Sequence, residues 1–167
     1  DGGTSDDGAG VECEPGGLFI SPDGTKALIS SERNGTFQLM ALPSGTLYGN
    51  PYVIENDLPS GWQRDDRSYK KRTEPEECSL VERDDKLYAV FALQESHAVI
   101  VYDVTDPANP VFDSMAPAGI DYANDNGMEK SAIGSEGLGM HQTNGVAFSA
   151  NEREGSISMF TAAWARE

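Results

Sequence analysis

Positive charge is scarce in this chain. Its 167 residues include 12 lysines and arginines against 28 aspartates and glutamates, which gives a formal net charge of −16 at pH 7. Such a surplus repels nucleic-acid phosphates and anionic membrane surfaces, and it attracts cations. We therefore expect no nucleic-acid partner, and calcium is a more natural ligand than DNA.

Long apolar runs are also missing. No segment approaches the roughly 20 consecutive apolar residues that a membrane-spanning helix needs, and only 38% of the residues are hydrophobic. The chain starts at Asp1 without a signal-type segment, which is typical of a mature or excised product. We expect one domain with a lean core and no membrane span.

Cysteine is limited to Cys13 and Cys78, each of which precedes the first strand of a predicted repeat. A disulfide joining neighbouring repeats fits an oxidising compartment, and two reduced thiols are the alternative. The sequence has no Gly-x-Ser-x-Gly elbow, no Gly-x-Gly-x-x-Gly segment and no phosphate loop. A nucleophilic hydrolase therefore has no positive support in the sequence.

Three segments align on one another without gaps, beginning at Ser31, Gln94 and Asn151. Each has a short apolar strand, a polar turn opened by glutamate and a second alternating strand. This pattern predicts an all-β fold of antiparallel, β-propeller-like blades. Propellers close with roughly four to eight blades, so we expect an incomplete propeller or one that neighbouring chains complete.

The composition divides the chain into a leader and a domain. Residues 1–17 are predicted to form a flexible acidic leader, and residues 18–167 the propeller-like domain. A stretch at about 56–73 loses its periodicity, so we expect a long insertion there. In the third repeat, the first strand is predicted at residues 144–148, which leaves no room for a hairpin turn, so we expect either an abbreviated blade or residues missing at this point.

The second repeat resembles a known family at the sequence level. Its strand ends in Asp103-x-x-Asp106-Pro107-x-x-Pro110, like the LVIVD-type repeat of secreted β-propellers. A wider resemblance, over residues 87–160, is to the choice-of-anchor I propellers, which are related to mesenchyme-specific cell-surface glycoproteins. The motifs occur in the same order in both: Leu93-Gln94-Glu95, Gly119-Ile120-Asp121, Met140-His141-Gln142-Thr143-Asn144-Gly145 and Ala150-Asn151-Glu152. This resemblance implies a secreted or cell-surface propeller without a defined reaction.

An acidic loop is the first candidate metal site. Hard cations such as Ca²⁺ take six to eight oxygen ligands, and the loop offers Asp121, Asn124, Asp125, Asn126 and Glu129. Ala123 departs from the regular Asp-x-Asp-x-Asp-Gly pattern. A plain Asx-rich turn is the alternative.

The aligned glutamates are the second candidate. Glu32, Glu95 and Glu152 should lie at the same end of successive blades, where a ring of carboxylates could hold a metal. The alternative is that each caps its own turn by accepting backbone hydrogen bonds. Asn34 opens an N-glycosylation sequon at the predicted hairpin tip, where a glycan would clear the fold.

These observations favour an extracellular, calcium-stabilised binding or structural module that contacts protein, extracellular matrix or other copies of itself. One alternative is a metal-dependent propeller hydrolase for a phosphoester or lactone, whose metal the glutamates and the Asp121 loop would hold. Another is a subunit of a surface assembly that neighbouring chains complete.

Overall fold

The computed structural model describes residues 14–60, 62, 72–118, 134–142, 144–152 and 155–161. These residues form three antiparallel sheets, each built from consecutive strands. The predicted all-β fold of propeller-like blades is confirmed. The described part of the chain holds no helix with the length and apolar character to cross a membrane.

The strands fill the blades in chain order. Blade 1 contains β1 (Pro15–Ile20), β2 (Lys26–Ser31), β3 (Thr36–Ala41) and β4 (Tyr52–Val53), followed by a 3₁₀ helix at Ile54–Asp57. Blade 2 contains β5 (Pro75–Arg83), β6 (Lys86–Leu93), β7 (Ala98–Asp103) and β8 (Val111–Pro117). Blade 3 contains β9 (Ser135–His141), β10 (Val146–Asn151) and β11 (Ser156–Thr161).

The β1–β2 hairpin shows how local chemistry sets these elements. Pro22 presets φ for the turn, and Gly24 adopts a φ of +71°. Asp23 accepts hydrogen bonds from the Ser21 hydroxyl at 2.6 Å and from the Thr25 amide at 2.9 Å. These bonds favour the ionised carboxylate and hold the pKa of Asp23 well below its ordinary value.

Two apolar interfaces join the blades. Between blades 1 and 2, the Phe37 ring lies 4.7 Å from Phe91 and 5.0 Å from Tyr102, measured between ring centroids. Between blades 2 and 3, a valine-rich face of blade 2 packs against Leu138, Met140 and Phe160. Blade 2 is therefore covered on both faces, and the last six residues of β6 are all buried.

The third blade differs from the sequence prediction. Residues 146–151 form its second strand, because β9 precedes them and pairs with them, and between the two strands the Gly145 amide donates a hydrogen bond to the His141 carbonyl at 3.2 Å. The blade is therefore not abbreviated at this point. Strand β9 was missed because its sequence, Ser-Glu-Gly-Leu-Gly-Met-His, has two glycines and little apolar alternation.

Only parts of the predicted leader and of the predicted insertion lie within the described residues. Strand β1 begins at Pro15, inside the range assigned to the leader. In the insertion, the Trp62 indole N–H donates a hydrogen bond to the Ser96 carbonyl at 2.8 Å. This bond ties the start of the segment to blade 2, while residues 61 and 63–71 lie outside the described ranges.

Candidate functional site

Three equivalent turns lie at one end of the blades, which we call the Glu-turn end: residues 32–35 and 94–97, and in blade 3 a turn of which residues 152 and 155 are described. In each, the amide of the first turn residue donates a hydrogen bond to the carbonyl just before the first strand of its own blade. The bonds are Glu32 to Glu14 at 2.8 Å, Gln94 to Glu74 at 2.9 Å and Glu152 to Gly134 at 2.9 Å. The repeat detected in the sequence is therefore a real structural repeat.

The register of the second turn differs from the gapless alignment by one residue. The hairpins close at Ser31↔Thr36, Leu93↔Ala98 and Asn151↔Ser156, so Gln94 rather than Glu95 occupies the position of Glu32 and Glu152. The fourth turn residue has positive φ in all three blades, and it is Gly35, His97 or Gly155. Because His97 replaces the glycine, the alignment matched the glutamates instead.

This offset separates the three aligned glutamates. Glu95 is fully buried at the second turn position, whereas Glu152 is exposed and Glu32 is half-buried. Of these three, only Glu32 belongs to a group of acidic side chains close enough to share a metal ion, as far as the described residues extend. The simple ring of equivalent carboxylates is thus not what the turns form.

Glu32 instead meets two glutamates from the start of β5. One carboxylate oxygen from each of Glu32, Glu74 and Glu76 lies within 4.8 Å of the other two. Glu32 comes from the β2–β3 turn, so the group spans the boundary between blades 1 and 2. Glu74 is only 2% exposed, and the other two are half-buried. We call these three residues the glutamate cluster.

A bulge in β5 places Glu76. Pro75 pairs with Leu93 and Glu77 with Ala92, so Glu76 is an extra residue on its strand. Bulges redirect side chains, and they recur next to functional sites. The first strands of blades 1 and 3 are irregular at the corresponding point, between Pro15 and Leu18 and between Ser135 and Gly137.

Glycine in β1 makes room for the cluster. A Cβ at Gly16 would lie 2.6 Å from Glu32 Oε1 and 2.9 Å from the Glu76 carbonyl oxygen. No side chain fits there, so the β1 backbone approaches the carboxylates directly. The cluster is therefore enclosed by β1, β5 and the β2–β3 turn.

The arrangement suits a hard cation. Carboxylates this close repel one another when they are ionised, and a divalent cation bound between them would offset that repulsion. Three carboxylates supply oxygen ligands of the type that Ca²⁺ prefers. Sequence reasoning missed Glu74 and Glu76, although the run from Glu74 to Glu77 directly before an apolar strand was a usable signal.

The remaining predicted site residues have different outcomes. Asp121, Asn124, Asp125, Asn126 and Glu129 all lie outside the described residues, so that calcium loop stays a prediction. Asn34 is half-buried, and its neighbour Gly35 packs against Arg72 and Thr73. The hairpin tip is therefore in contact with the start of blade 2, and glycosylation there stays a prediction.

The predicted disulfide is not tested as a pair, because Cys13 lies outside the described residues. Cys78 is a buried free thiol on β5. Burial, and then the negative charge of Glu77, raise its pKa to about 12. A bridge to Cys13 stays a prediction.

Stacked antiparallel blades whose first strands lie side by side define a β-propeller-type fold. A "putative 6-phosphogluconolactonase" from Bacteroides uniformis is similar, with a TM-score of 0.62 and 13% identity over 90% of this chain and 37% of that one. A "putative 6-phosphogluconolactonase" from Bacteroides fragilis gives a TM-score of 0.58 and 13% identity, over 90% and 35%.

Hydrazine synthase from Kuenenia stuttgartiensis gives a TM-score of 0.57 and 12% identity, over 90% of this chain and 46% of that one. The chain thus spans less than half the length of each of these structures. No protein-family model matches the chain, and no curated protein matches it. The resemblance to choice-of-anchor I and LVIVD-type propellers therefore stays a prediction.

Proposed function

We propose that the chain is a calcium-stabilised binding or structural module of an extracellular β-propeller, and that the glutamate cluster binds the calcium. One observation carries this proposal: carboxylate oxygens of Glu32, Glu74 and Glu76, which come from two blades, lie within 4.8 Å of one another. The net charge of −16 supports it as well, because such a surface concentrates cations.

The cation would act by ordering the Glu-turn end. A Ca²⁺ ion held by Glu32 on one side and by Glu74 and Glu76 on the other would join the β2–β3 turn of blade 1 to the first strand of blade 2. An ion that binds the folded chain and not the unfolded one stabilises it by mass action. The ordered turns would then form the contact face for a protein or matrix partner.

Titration calorimetry with Ca²⁺ and thermal unfolding in calcium or in chelator test this proposal. We expect binding, and a stabilisation of about 2.7 kcal/mol once free calcium reaches 100 times its Kd. Glu76→Gln should remove most of this effect because it deletes one carboxylate of the cluster. Glu82→Gln is the matched control, since Glu82 is an exposed glutamate on the same strand.

The proposal fails if the wild-type chain gives no binding heat and melts at the same temperature in calcium and in chelator. It also fails if calcium stabilises Glu76→Gln as strongly as Glu82→Gln. A second equivalent of calcium that survives Glu76→Gln and is lost in Asp121→Asn would support the predicted loop site in addition.

The extracellular location rests on the sequence resemblance and on the acidic composition. Mass analysis of the natural product tests it, because secretion should leave a processed chain, and a glycan on Asn34 adds mass. An unmodified cytoplasmic product would contradict it.

A metal-dependent sugar-lactone hydrolase is the second candidate function. Two of the similar structures carry a lactonase name, and a carboxylate-held cation can polarise a lactone carbonyl and activate water. Assays with a phosphorylated sugar lactone, with and without Ca²⁺ or Mn²⁺, test it. Metal-dependent turnover that Glu76→Gln abolishes would favour the hydrolase, whereas calcium binding without turnover favours the binding module.

A further inference from the structure

The two outermost sheet faces of the three-blade stack expose apolar side chains. On blade 1, Leu18 is 64% exposed and Ile20 is 45% exposed. On blade 3, Ile157 is 74% and Met159 is 67% exposed. We call the first surface the outer face of blade 1 and the second the outer face of blade 3.

Register shows that each outer face has a buried counterpart inside the chain. Leu28, Val90 and Phe148 occupy the same position, three residues before the end of the second strand of their blades. Leu28 packs toward blade 2 and Val90 toward blade 3. Phe148 lies on the outer face of blade 3, where it is 42% exposed.

The other face of each blade can be compared in the same way, by equivalent positions on the second strands. Ile29, Phe91 and Ser149 are equivalent, two residues before the end of the second strand. Phe91 is buried against blade 1, and Ser149 is buried on the side of blade 3 that carries Leu138, which packs against blade 2. Ile29 pairs with Leu18 on the outer face of blade 1.

The outer face of blade 3 therefore corresponds to the faces by which blade 1 packs on blade 2 and blade 2 packs on blade 3. The outer face of blade 1 corresponds to the opposite faces, which those two contacts cover in blades 2 and 3. We propose that these two surfaces bind each other between two copies of this chain. The described residues of each copy form three blades, so two copies of this 167-residue chain joined head to tail would form a ring of six blades, within the roughly four to eight blades of known propellers.

Charge repulsion opposes this association, and it makes the stability of the dimer depend on salt concentration. Each copy carries a formal charge of −16, so bringing two together costs electrostatic free energy that salt screens over about 10 Å at 0.1 M. The apolar contact itself is not weakened by salt. The dimer should consequently become tighter as sodium chloride is raised.

Light scattering coupled to size exclusion tests the proposal on the 167-residue chain. We expect a mass of twice 17.9 kDa in 0.5 M sodium chloride, with a larger monomer fraction in low salt. A strict monomer at every salt concentration would overturn the proposal and leave both faces for other blades or another partner. An open-ended series of larger species would overturn the closed ring.

Two variants test the head-to-tail geometry. Leu18→Asp and Ile157→Asp each place a charge on one outer face, so each variant alone should be monomeric. An equimolar mixture should recover part of the dimer, because one undamaged pair of faces remains. Val111→Asp is the control, since Val111 is 62% exposed on β8, away from both faces.

These variants also distinguish the head-to-tail dimer from a symmetric dimer in which each copy uses the same outer face. If blade 1 paired with blade 1, Ile157→Asp would still dimerise on its own, and the proposal would be wrong. Circular dichroism of each variant confirms that the blades remain folded. Calcium binding within a copy is independent of these results, so either proposal can fail without the other.

Discussion

At the scale of single residues, Cys78 shows how closely the first strands approach. A Cβ added at Gly17 would lie 2.7 Å from the Cys78 amide nitrogen and 2.9 Å from its Sγ. The Gly17 amide instead donates a hydrogen bond to Ser30 Oγ at 2.7 Å. The thiol thus fills space that a side chain on β1 would otherwise need.

This environment predicts an inert thiol. In a Cys13→Ser variant, which leaves Cys78 as the sole cysteine, we expect negligible alkylation by iodoacetamide at pH 8 while the chain is folded. The pKa of about 12 keeps the reactive thiolate scarce, and burial excludes the reagent. Mass spectrometry measures the reaction, and the same sample in guanidinium should react fully. Rapid labelling of the folded chain would contradict this expectation.

The acidic run at residues 74–77 marks two members of the glutamate cluster, but residue identity alone could not predict that they meet Glu32. Glu32 was singled out because it recurs in the repeat, but Glu74 and Glu76 have no counterparts in the aligned segments. Their convergence depends on the bulge at Glu76 and on the side-by-side packing of β1 and β5. Both are tertiary features that leave no periodic signal in the sequence.

At the scale of elements, the fourth residue of each turn has the same left-handed backbone conformation, but the surroundings of the turns differ. Gly35 and Gly155 hold the same left-handed conformation, with φ of +61° and +69°. A Cβ at Gly35 would lie 2.9 Å from Thr73 Oγ1 and 3.0 Å from Arg72 Cβ, whereas a Cβ at Gly155 would meet open space. Packing against the start of blade 2 is therefore specific to the first turn.

The pair Gly35→Ala and Gly155→Ala separates backbone strain from crowding. Each should lose about 1–2 kcal/mol, because alanine resists the left-handed region. Gly35→Ala should lose about a further 1–3 kcal/mol from overpacking. Urea denaturation of both variants measures the difference. Equal losses would show that Arg72 and Thr73 move aside freely.

Element prediction from the sequence succeeded where apolar residues alternate or cluster. The sequence predicts strands at 27–31, 36–42, 87–93 and 98–104, and β2, β3, β6 and β7 lie within one residue of these ranges. Each of the four carries aliphatic or aromatic side chains into a blade interface. Strand β8 was not predicted, since it begins beyond the Pro107–Pro110 segment and is largely exposed. Its pairing with β7 defines it, and that is a non-local interaction.

At the scale of the whole molecule, the blade boundaries carry the stability. Phe37 is 1% exposed at the centre of an aromatic group with Tyr52, Phe91 and Tyr102. The Tyr102 hydroxyl donates a hydrogen bond to Asp57 at 3.0 Å, and this bond ties the 3₁₀ helix of blade 1 to blade 2. Burial, and then the Asp57 charge, raise the pKa of Tyr102 above its ordinary value.

Phe37→Ala should therefore cost about 3–5 kcal/mol, because it leaves a cavity at this interface. Phe148→Ala makes the same substitution on the outer face of blade 3, and in dilute, low-salt solution it should change stability by less than about 0.5 kcal/mol. Chemical denaturation measures both. A small loss for Phe37→Ala would mean that blades 1 and 2 do not unfold as one unit.

The propeller class was predictable because repetition is visible without tertiary information. How the blades meet was not predictable to the residue, since a one-residue shift in a hairpin reverses the face of every following side chain. Offsetting the second repeat by one residue is the error that such a shift produces. Only the observed pairing of Leu93 with Ala98 settles it.

That offset has a consequence for symmetry. Gln94 places a neutral amide where blades 1 and 3 carry carboxylates, and Gln94 is itself 95% covered by its neighbours. Identical acidic groups at this position would give every blade the same charge at the Glu-turn end. With a buried, neutral amide there in blade 2, the blades differ in charge, so the repeated backbone does not produce a repeated electrostatic surface.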